Sequence, residues 1–434
     1  MLLRERVYQA ALAGARAALR DGWGHQGAAH ALGGRNAAPG AFERWAARER
    51  DPRRPLALVH APSVGEALMA QAIIGAARAA EPRLQVAFTY FSPSAERIAE
   101  RVGADVAGYL PWDLRRDVDR LLAALRPDVI GFVRTEIGPT LGARAATAAV
   151  RVVLLNAVLG PRSSRVGPAA RFLLGPAYRR LDRIGAVDRD DAERFARLGV
   201  DRSRVRVTGD ARFDQVLARI AALDRDGPLL RLLRRERAVL VAGSTWPSDE
   251  RALLAAVAAL PDGLRPHVLL APHEPSSGHV ETALATARSQ GLRVRLLADV
   301  ERTGAGDEAV TVVDRVGVLA DLYMLGDVCY VGGGFGSRGL HSIVEPAALG
   351  RPVLYGPRHG NAREAPALAG AGGGFVVAER TLGAVLERLL RDPGERAAAG
   401  AAAARFVASR RGGARANAAL LLADEADPNP EVSR

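Results

Sequence analysis

Two carboxylates in the first half of the chain follow short apolar runs, at points where a strand gives way to a helical pattern. Glu66 falls in the first turn of the pattern that begins after Ser63, Gly65 permits a sharp turn before it, and Glu136 follows a second run. A helix macrodipole favours an ionised carboxylate there, and such a carboxylate can take a proton from a hydroxyl group. Glu66 therefore fits a general base, and Glu136 fits a group that orients the acceptor or the base, although simple helix capping explains both residues equally well.

A glycine-rich run in the second half of the chain is typical of a turn between a strand and a helix. Residues 332–336 read Gly-Gly-Gly-Phe-Gly, and Glu345 opens the next helical pattern. Glycine lets the backbone approach a ligand closely, a helix N-terminus offers N–H groups to a phosphate, and an acidic residue beyond can bind sugar hydroxyl groups. A plain turn is the alternative. With the acidic helix start, the run indicates the nucleotide end of a nucleotide-sugar site.

Other polar residues in the second half also follow apolar runs. Ser244 and Thr245 follow one strand and, with free backbone N–H groups, suit a phosphate. His273 ends another strand, where it contacts a nucleobase or the carboxylate of a sugar donor, or else is structural. Arg358 and Arg363 follow a third strand and are either counter-ions of an acidic sugar or solvated loop charges.

The composition narrows the class of protein and its partners. The chain has 434 residues, enough for two domains of about 200 residues. Its net charge of +12 comes from arginine alone, because the sequence contains no lysine. Arginine binds phosphate and carboxylate in a bidentate manner, so a basic surface favours phosphorylated partners or an anionic membrane. The scattered arginines, without interleaved aromatic residues, argue against nucleic acid. The single cysteine, Cys329, excludes an intrachain disulfide and a cysteine metal cluster.

The N-terminal twenty residues form a basic amphipathic pattern. Its apolar positions are interrupted by arginines, so the pattern matches neither a signal peptide nor a bilayer-spanning helix. Such a helix lies on a membrane surface or packs against the body of the protein, and both possibilities stay open. Residues 21–50 are rich in Gly, Ala and Arg and are predicted to be a loose connection.

Beyond residue 50 the chain alternates short apolar runs with helical patterns, and the alternation occurs twice. We predict domains at 51–218 and 235–410, a charged connection between them, an N-terminal segment at 1–50 and a helix end and tail at 411–434. The alternation indicates an α/β fold with mostly parallel sheets. Two Rossmann-like halves in tandem define the GT-B architecture, in which the two domains face each other across a cleft. Ligands bind at the carboxyl ends of the strands in such folds.

Several segments together resemble the 3-deoxy-D-manno-octulosonic acid (Kdo) transferases, bacterial enzymes of lipopolysaccharide synthesis. The resemblance covers about residues 55 to 400, and the order and spacing of its anchors match. The anchors are residues 63–66 (SVGE), 91–94 (FSPS), 134–136 (RTE), 209–214 (GDARFD), 242–247 (AGSTWP), 271–274 (APHE), 332–335 (GGGF) and 341–349 (HSIVEPAAL).

The resemblance implies a reaction and a set of site residues. The donor is CMP-Kdo, the acceptor is a lipid A precursor, and the anomeric carbon is inverted without a metal or cofactor. It also implies a peripheral protein at the cytoplasmic face of the bacterial inner membrane. Glu66 falls on the catalytic base of the family and Glu136 on its second important carboxylate. The donor-binding residues are expected to be Ser244, Thr245, His273, Gly332, Gly333, Gly334, Glu345, Asn361 and Glu364. Ser63, Gly65 and Arg212 are expected to support the acceptor or the transition state.

Three other functions fit parts of the same pattern. Another GT-B enzyme that uses a UDP-sugar, either a glycosyltransferase or an epimerase, shares the nucleotide site. A non-catalytic nucleotide-sugar binder keeps the second-half motifs but has no need of Glu66 and Glu136. A hydrolase with paired carboxylates requires these two glutamates to meet.

Overall fold

The chain forms two compact units, which differ from the predicted domains at their boundaries. The computed structural model describes residues 3–20, 26–161, 163, 165, 167 and 175–423. Unit 1 comprises Met1–Gln215 and Arg410–Arg434, and unit 2 comprises Val216–Ser409. The segments predicted as separate at the two ends of the chain both belong to unit 1. The first unit is therefore assembled from both ends of the sequence.

Unit 1 contains a seven-stranded parallel sheet. Its strands are β1 Leu56–His60, β2 Gln85–Tyr90, β3 Val106–Tyr109, β4 Val129–Val133, β5 Arg151–Ala157, β6 Arg183–Ala186 and β7 Val205–Val207. The spatial order is β3-β2-β1-β4-β5-β6-β7, and each pair is parallel. Strands β1 and β4 are buried along their whole length, which explains their continuous apolar sequences. The strand order reverses between β1 and β4, the point where doubly wound sheets bind ligands.

Helices connect these strands and cover the sheet. They are α1 Leu3–Arg20, α2 Gln26–Glu49, α3 Val64–Ala80, α4 Glu96–Ala99, α5 Arg115–Leu125, α6 Pro139–Thr147, α7 Arg189–Arg197 and α8 Ala211–Ala221. The apolar runs predict strands at 56–60, 84–89, 129–133, 151–155, 183–187 and 205–208, and these agree with β1, β2, β4, β5, β6 and β7 to within two residues. The exception is β3, which was not predicted because it is short, partly exposed and contains a glycine.

The loose connection predicted for residues 21–50 is wrong, because α2 occupies most of that range. Ala38, Phe42 and Trp45 lie one helical turn apart and are all buried in the core of unit 1. This spacing gives α2 an apolar stripe that faces the core. The surrounding glycines and the proline inside the helix obscured the stripe in the sequence.

Helix α1 packs against unit 1 through polar side chains. The Tyr8 hydroxyl donates to Asp113 at 3.0 Å, and the Arg16 guanidinium donates to Asp117 at 2.7 Å. Val7, by contrast, is 61% exposed. Of the two possibilities for this helix, packing against the protein is therefore confirmed. Within the described ranges, no helix combines the length and apolar content needed to cross a bilayer.

Unit 2 contains a second seven-stranded parallel sheet. Its strands are β8 Val239–Thr245, β9 His267–Pro272, β10 Val294–Leu296, β11 Val310–Val312, β12 Val328–Val331, β13 Val353–Tyr355 and β14 Gly374–Val376. The spatial order is β10-β11-β9-β8-β12-β13-β14, and all pairs are parallel. The order reverses between β8 and β12, so the residues after these two strands mark the ligand-binding edge of this unit.

The helices of the second half correct one prediction. They are α9 Pro228–Leu233, α10 Pro247–Ala258, α11 Ser277–Ser289, α12 Leu297–Thr303, α13 Leu319–Tyr323, α14 Val344–Ala348, α15 Glu364–Gly370, α16 Glu379–Arg391, α17 Pro393–Ala408 and α18 Gly413–Leu422. The alanine- and arginine-rich stretch at residues 393–422, whose composition predicts one helix, forms two helices separated at Gly412, whose φ of 111° is left-handed. The charged connection between the halves is itself largely helical, in α8 and α9.

Candidate active site

The start of α3 positions Ser63 and Glu66 just beyond β1. Ser63 is the N-cap residue of α3, with φ −128° and ψ 172°, but its side chain makes no capping hydrogen bond. Its hydroxyl donates instead to the carboxylate of Glu66, which is half-buried. The sharp turn expected at Gly65 is absent, because this residue lies inside α3. A Cβ at Gly65 would meet only Ser63 Oγ, at 4.0 Å, so the surface beside the pair is open.

The backbone that leads into α3 is fastened to the neighbouring strand β2. The Ala61 N–H donates to the Thr89 carbonyl at 2.9 Å, and the Ser92 N–H donates to the Pro62 carbonyl at 2.9 Å. His60 is buried beside Thr89, and burial lowers its pKa to about 4. The imidazole is therefore neutral at pH 7 and acts as part of the core. These contacts hold the segment that carries Ser63 and Glu66.

Glu136 lies in the loop after β4 and is exposed. Its carboxylate accepts from Arg165, and the Tyr178 hydroxyl donates to the Thr135 carbonyl at 2.9 Å beside it. Arg134, two residues earlier, has a left-handed φ of 76°. A non-glycine residue in this region is strained, and such strain is concentrated at functional sites. The second carboxylate is thus held next to a guanidinium group.

Glu66 and Glu136 belong to separate hydrogen-bond networks. They follow β1 and β4, the two strands between which the order of the sheet reverses. Among the described residues, however, their side chains share no hydrogen-bond partner. Glu66 thus contacts Ser63, and Glu136 contacts Arg165. These contacts give no support to a paired-carboxylate hydrolase, which requires the two glutamates to meet.

A buried polar cluster lies behind α3. Asn156 is fully buried with a left-handed φ of 50°, and its amide donates to Asp210 at 3.1 Å and contacts Met69 of α3. Arg212 donates to Asp210 at 3.0 Å. Burial acts to raise the pKa of Asp210, but the guanidinium groups of Arg212 and Arg134 outweigh it and hold the pKa below its usual value. Arg212, predicted near the reaction, is therefore tied to a buried carboxylate.

Asn417 of α18 completes this cluster. Its amide oxygen accepts from the Asn156 N–H at 2.7 Å, and its amide nitrogen donates to the Thr208 hydroxyl at 3.1 Å. Asp214 accepts from the Gly412 and Ala414 N–H groups at the start of the same helix. Sequence reasoning did not identify Asn417, because it lies in an alanine-rich helix far along the chain from its partners.

In unit 2 the glycine run follows β12, and its glycines are required by neighbouring backbone. A Cβ at Gly332 would lie 2.3 Å from the Ser244 carbonyl oxygen, and one at Gly333 would lie 2.0 Å from the Gly339 carbonyl oxygen. Gly333 also has a φ of 95°, and Ser244 has a φ of 52°. The turn after β8 and the returning loop at Gly339 therefore already require glycine at these positions, and close approach of a ligand to the run stays a prediction.

The side chain of Asp249 holds this loop in place through hydrogen bonds. Its carboxylate is fully buried and accepts from the Gly333 N–H at 2.9 Å, the Trp246 N–H at 3.0 Å and the Tyr330 hydroxyl at 2.8 Å. The Gly333 N–H is therefore bound within the chain, and donor binding by the loop of Gly332, Gly333 and Gly334 stays a prediction. In the sequence Asp249 is only an acidic residue shortly after β8, and no motif marks it for this role.

Thr245 faces the interior, in contrast to its predicted contact with a phosphate. It is fully buried, and its hydroxyl donates to Glu250 at 2.8 Å. His279 Nε2 lies 2.9 Å from the same carboxylate oxygen. Burial raises the pKa of Glu250 despite these two hydrogen bonds. Glu250, itself bound by Thr245, therefore holds the ring of His279 in place through a hydrogen bond.

Aromatic and imidazole rings form a cluster around Trp246. The rings of His273 and His341 stack at 3.9 Å, and Trp246 lies 5.1 Å from His273. The indole N–H of Trp246 donates to His341 Nε2 at 3.1 Å, and the Arg338 guanidinium lies 4.7 Å from the indole ring. Burial lowers the pKa of His341 to about 4 and also lowers the pKa of His273, so both rings are neutral at pH 7. The cluster offers flat faces and one positive charge.

The other predicted donor residues have defined partners. Glu345 is the second residue of the five-residue helix α14 and accepts from Arg219 at 2.8 Å. Asn361 accepts from the Leu340 N–H at 2.9 Å and donates to the Leu340 carbonyl at 2.8 Å, so its amide holds the loop. Glu364 is the first residue of α15 and is buried. In the part of the chain that is described, no three His, Cys, Asp or Glu side chains could hold a metal ion together.

Comparison with solved structures defines the class of fold. A putative UDP-N-acetylglucosamine 2-epimerase from Listeria monocytogenes has a TM-score of 0.60 at 14% identity and covers 85% of this chain and 95% of its own. A glycosyltransferase from Rickettsia africae has a TM-score of 0.59 at 11% identity, with 86% and 99% covered. With its two parallel seven-stranded sheets, the chain is an α/β protein of the GT-B class.

Sequence comparison shows which proteins the chain resembles. Residues 40–215 match the family model of 3-deoxy-D-manno-octulosonic-acid transferase (kdotransferase). The 3-deoxy-D-manno-octulosonic acid transferase of Bordetella pertussis is 29% identical over 87% of this chain and 89% of its own length. That of Haemophilus influenzae is 27% identical, with 69% and 70% covered. The chain therefore resembles the Kdo transferases over most of its length, and these relatives support its assignment as a glycosyltransferase.

Proposed function

We propose that the protein transfers Kdo from CMP-Kdo to a lipid A precursor, lipid IVA, in lipopolysaccharide synthesis. The observation on which the proposal rests is the Ser63–Glu66 contact at the start of α3. It gives a glutamate within the matched residues 40–215 a fixed orientation beside an open surface. The relatives named as 3-deoxy-D-manno-octulosonic acid transferases support the sugar, and the basic charge of +12 suits a phosphorylated acceptor.

The proposed reaction is a single displacement with inversion. Glu66 takes the proton from the acceptor hydroxyl as the acceptor oxygen forms its bond to the anomeric carbon of Kdo. The bond between that carbon and the phosphate oxygen of CMP breaks, and CMP leaves with the electron pair. The proton passes from Glu66 to solvent. No metal ion or cofactor takes part. Arg165 beside Glu136 is available to steady a negative charge of the reactants.

Unit 2 binds the CMP group in this proposal. The stacked faces of His273, His341 and Trp246 suit a nucleobase, because flat rings stack on one another. Arg338 supplies a positive charge at the same cluster. Ser244 lies at the end of β8, beside the glycine loop, where backbone groups can contact a phosphate. In this proposal a carboxylate oxygen of Glu345 accepts a hydrogen bond from a sugar hydroxyl group.

The acceptor side involves the membrane surface. A lipid acceptor requires a protein that reaches the bilayer, and the proposal places this one as a peripheral protein on the cytoplasmic face of the inner membrane. Support comes from the exposed Val7 on α1 and from the excess of arginine. Anionic lipid head groups attract such a basic surface.

Product analysis tests the proposal. Purified protein is incubated with CMP-Kdo and lipid IVA, and the lipid products are weighed by mass spectrometry. With the parent protein, and with the surface control Glu100→Gln, we expect lipid IVA to gain the mass of Kdo. Glu66→Gln is expected to lower turnover by roughly two to four orders of magnitude while CMP binding stays unchanged. Near-normal turnover by Glu66→Gln would remove this residue from the mechanism.

Nucleotide titration separates the proposal from its main alternative. Isothermal titration of the parent protein with CMP and with UDP compares the two nucleotides under the same conditions. Tighter binding of CMP is expected. Preference for UDP would assign the protein to GT-B enzymes that use UDP-sugars. CMP binding without any transfer to lipid IVA would leave a nucleotide-sugar binder.

A further inference from the structure

Unit 2 contains a groove between helices α10 and α16 that the proposed reaction does not use. Its volume is about 540 Å³. Ala252, Ala255 and Ala256 of α10 line one side, and Gly383 and Ala384 of α16 line the other. A Cβ at Gly383 would meet only the Cβ of Ala256, at 3.8 Å, so no large side chain separates the two helices there. The groove thus has small side chains along its middle.

Helix α16 buries four leucines in unit 2 and presents its opposite side to solvent. That side carries charges at both ends, with Glu379 and Arg380 near the start of the helix and Glu387 and Arg388 near its end. Ala384 is exposed between them. Because residues three or four positions apart are neighbours on a helix surface, Arg380, Ala384 and Glu387 form one row beside the groove.

The order of these charges is self-complementary in an antiparallel pair of helices. Two copies of α16 can run in opposite directions about a two-fold axis that passes just before Ala384. Residues at equal distances from the axis then face each other, so Arg380 faces Glu387 of the second copy, and Glu379 faces Arg388. Each contact occurs twice, because a two-fold interface uses the same surface of both copies. Only small residues lie at the axis, so the helices can approach closely.

Part of this charge has no partner within the chain. Glu379 and Arg380 are exposed, and neither forms an ion pair with any residue that the structure describes. Glu387 and Arg388 each have one partner further along the chain, at 2.8 and 3.1 Å. Such surface pairs are screened by solvent and contribute little to stability. The row on α16 can therefore form ion pairs with a second chain.

We infer that the face formed by α10 and α16 binds a second copy of this protein through a two-fold symmetric contact. Helix α16 of each copy lies antiparallel to α16 of the other, and the grooves beside the two helices receive their side chains. The balanced signs of the row favour a second copy over a partner with a strong net charge, which would meet like charges. This dimer is independent of which sugar or nucleotide the protein uses.

The size of the face predicts a weak and reversible dimer. At 1.5 Å per residue, the 13 residues of α16 span about 20 Å. Two neighbouring helices about 10 Å apart therefore present a face of roughly 400 Å² on each copy. The total of about 800 Å² lies below the range of about 1,200–2,000 Å² that is usual for stable complexes. Ion pairs at the contact add specificity more than affinity, so we expect dimers at micromolar concentrations and above.

Sedimentation equilibrium of the full-length protein measures this association. The average mass is expected to rise from that of one chain toward that of two as the concentration increases. The rise is expected to be smaller at high salt, because salt screens exposed ion pairs. The mass of a single chain at every concentration up to the solubility limit would overturn the inference and leave the face to a different partner.

Complementary charge variants locate the contact. Arg380→Glu sets carboxylate against carboxylate at the symmetric contacts, and Glu387→Arg sets guanidinium against guanidinium. Each variant alone is expected to dimerise at least tenfold more weakly than the parent. An equal mixture of the two is expected to regain the parental affinity, because opposite charges then face each other at both contacts. Arg225→Glu makes the same charge change at an exposed position outside α16 and is expected to behave as the parent.

Recovery in the mixture cannot come from misfolding of either variant, so it reports the contact itself. A mixture that associates no better than its components, or two variants that each dimerise as the parent does, would show that this face is not the interface.

A bulky substitution tests the close approach at the axis. Ala384→Trp is expected to abolish dimerisation, since two indole rings cannot fit where the helices cross. Ala222→Trp introduces the same side chain at another exposed position of unit 2 and is expected to leave the dimer intact. Thermal melting of both variants verifies the fold. Undiminished association by folded Ala384→Trp would overturn the inference, whereas loss of Kdo transfer by a parent protein that still dimerises would count against the proposed function alone.

Discussion

Ser63 illustrates how a residue that looks like a helix cap serves a neighbouring carboxylate. It occupies the N-cap position of α3, yet its hydroxyl donates to Glu66 and not to the helix backbone. The hydrogen bond restricts the rotamers of Glu66 and so orients a group that must meet an acceptor hydroxyl within hydrogen-bond distance. At the residue scale, Ser63 thus contacts Glu66 and makes no capping hydrogen bond, and the role of Glu66 as a base stays a proposal.

Replacement of Ser63 separates these two roles. Ser63→Ala is expected to lower kcat by roughly tenfold, since a hydrogen bond to a charged group contributes about 1.5–3 kcal/mol. The KM for CMP-Kdo and the thermal stability are expected to change little, because no capping bond is lost. Steady-state kinetics and a melting curve measure both effects. A lower melting temperature with unchanged kcat would identify Ser63 as a cap after all.

Ser289→Ala serves as the control for this experiment. It removes a hydroxyl that donates to the Thr286 carbonyl at the exposed end of α11. Both kcat and stability are expected to stay near the parent values, since a surface hydrogen bond of this kind contributes little.

The loop after β12 is the element that determines the shape of the unit 2 site. Buried Asp249 holds its backbone, and Asn361 holds Leu340 near its far end. The loop passes so close to Ser244 and Gly339 that no side chain fits at Gly332 or Gly333. The glycines therefore maintain a rigid backbone under the rings of Trp246 and His341.

A pair of glycine substitutions tests this account of the loop. Gly333→Ala places a Cβ in a left-handed backbone and against a carbonyl oxygen. It is expected to lower the free energy of unfolding by at least about 2 kcal/mol and to weaken CMP binding tenfold or more. Gly370→Ala meets no atom within 4 Å and is expected to be neutral or slightly stabilising. Urea unfolding and CMP titration check both; equal behaviour of the two variants would contradict the account.

At the scale of the whole molecule, unit 1 depends on the last helix of the chain. Helix α18 returns after unit 2 to pack against α3, and its Asn417 and Leu421 are fully buried in unit 1. Asn417 bonds both Asn156 and Thr208, and Asp214 caps the start of the helix. Unit 2, by contrast, is a continuous stretch of sequence.

Truncation after Ser409 is therefore expected to affect the two units differently. Unit 1 loses a buried helix and is expected to lose several kcal/mol of stability, as large core deletions do, so it becomes sensitive to protease. Unit 2 is expected to remain folded and to bind CMP with its normal affinity. Limited proteolysis with mass spectrometry, together with CMP titration, measures both. Protease-resistant unit 1 in the truncated protein would show that α18 is dispensable.

The sequence by itself determined the elements and the main candidate residues. Buried parallel strands such as β1 and β4 are continuous apolar runs, and the residues at their carboxyl ends follow from chain position alone. This is why Glu66, Glu136, Ser244 and the glycine run were correctly placed at strand ends, and why two α/β halves were predicted. The family resemblance added the chemistry, which rests on local motifs.

Only the tertiary structure decided which distant groups meet. Asp249 under the glycine loop, Asn417 beside Asn156, and the polar inner face of α1 each depend on backbone segments that are remote in sequence. Burial also determined that Thr245 turns inward. No periodicity or motif encodes such contacts, because a buried polar group takes whichever partner the packing of sheets and helices brings within hydrogen-bond distance.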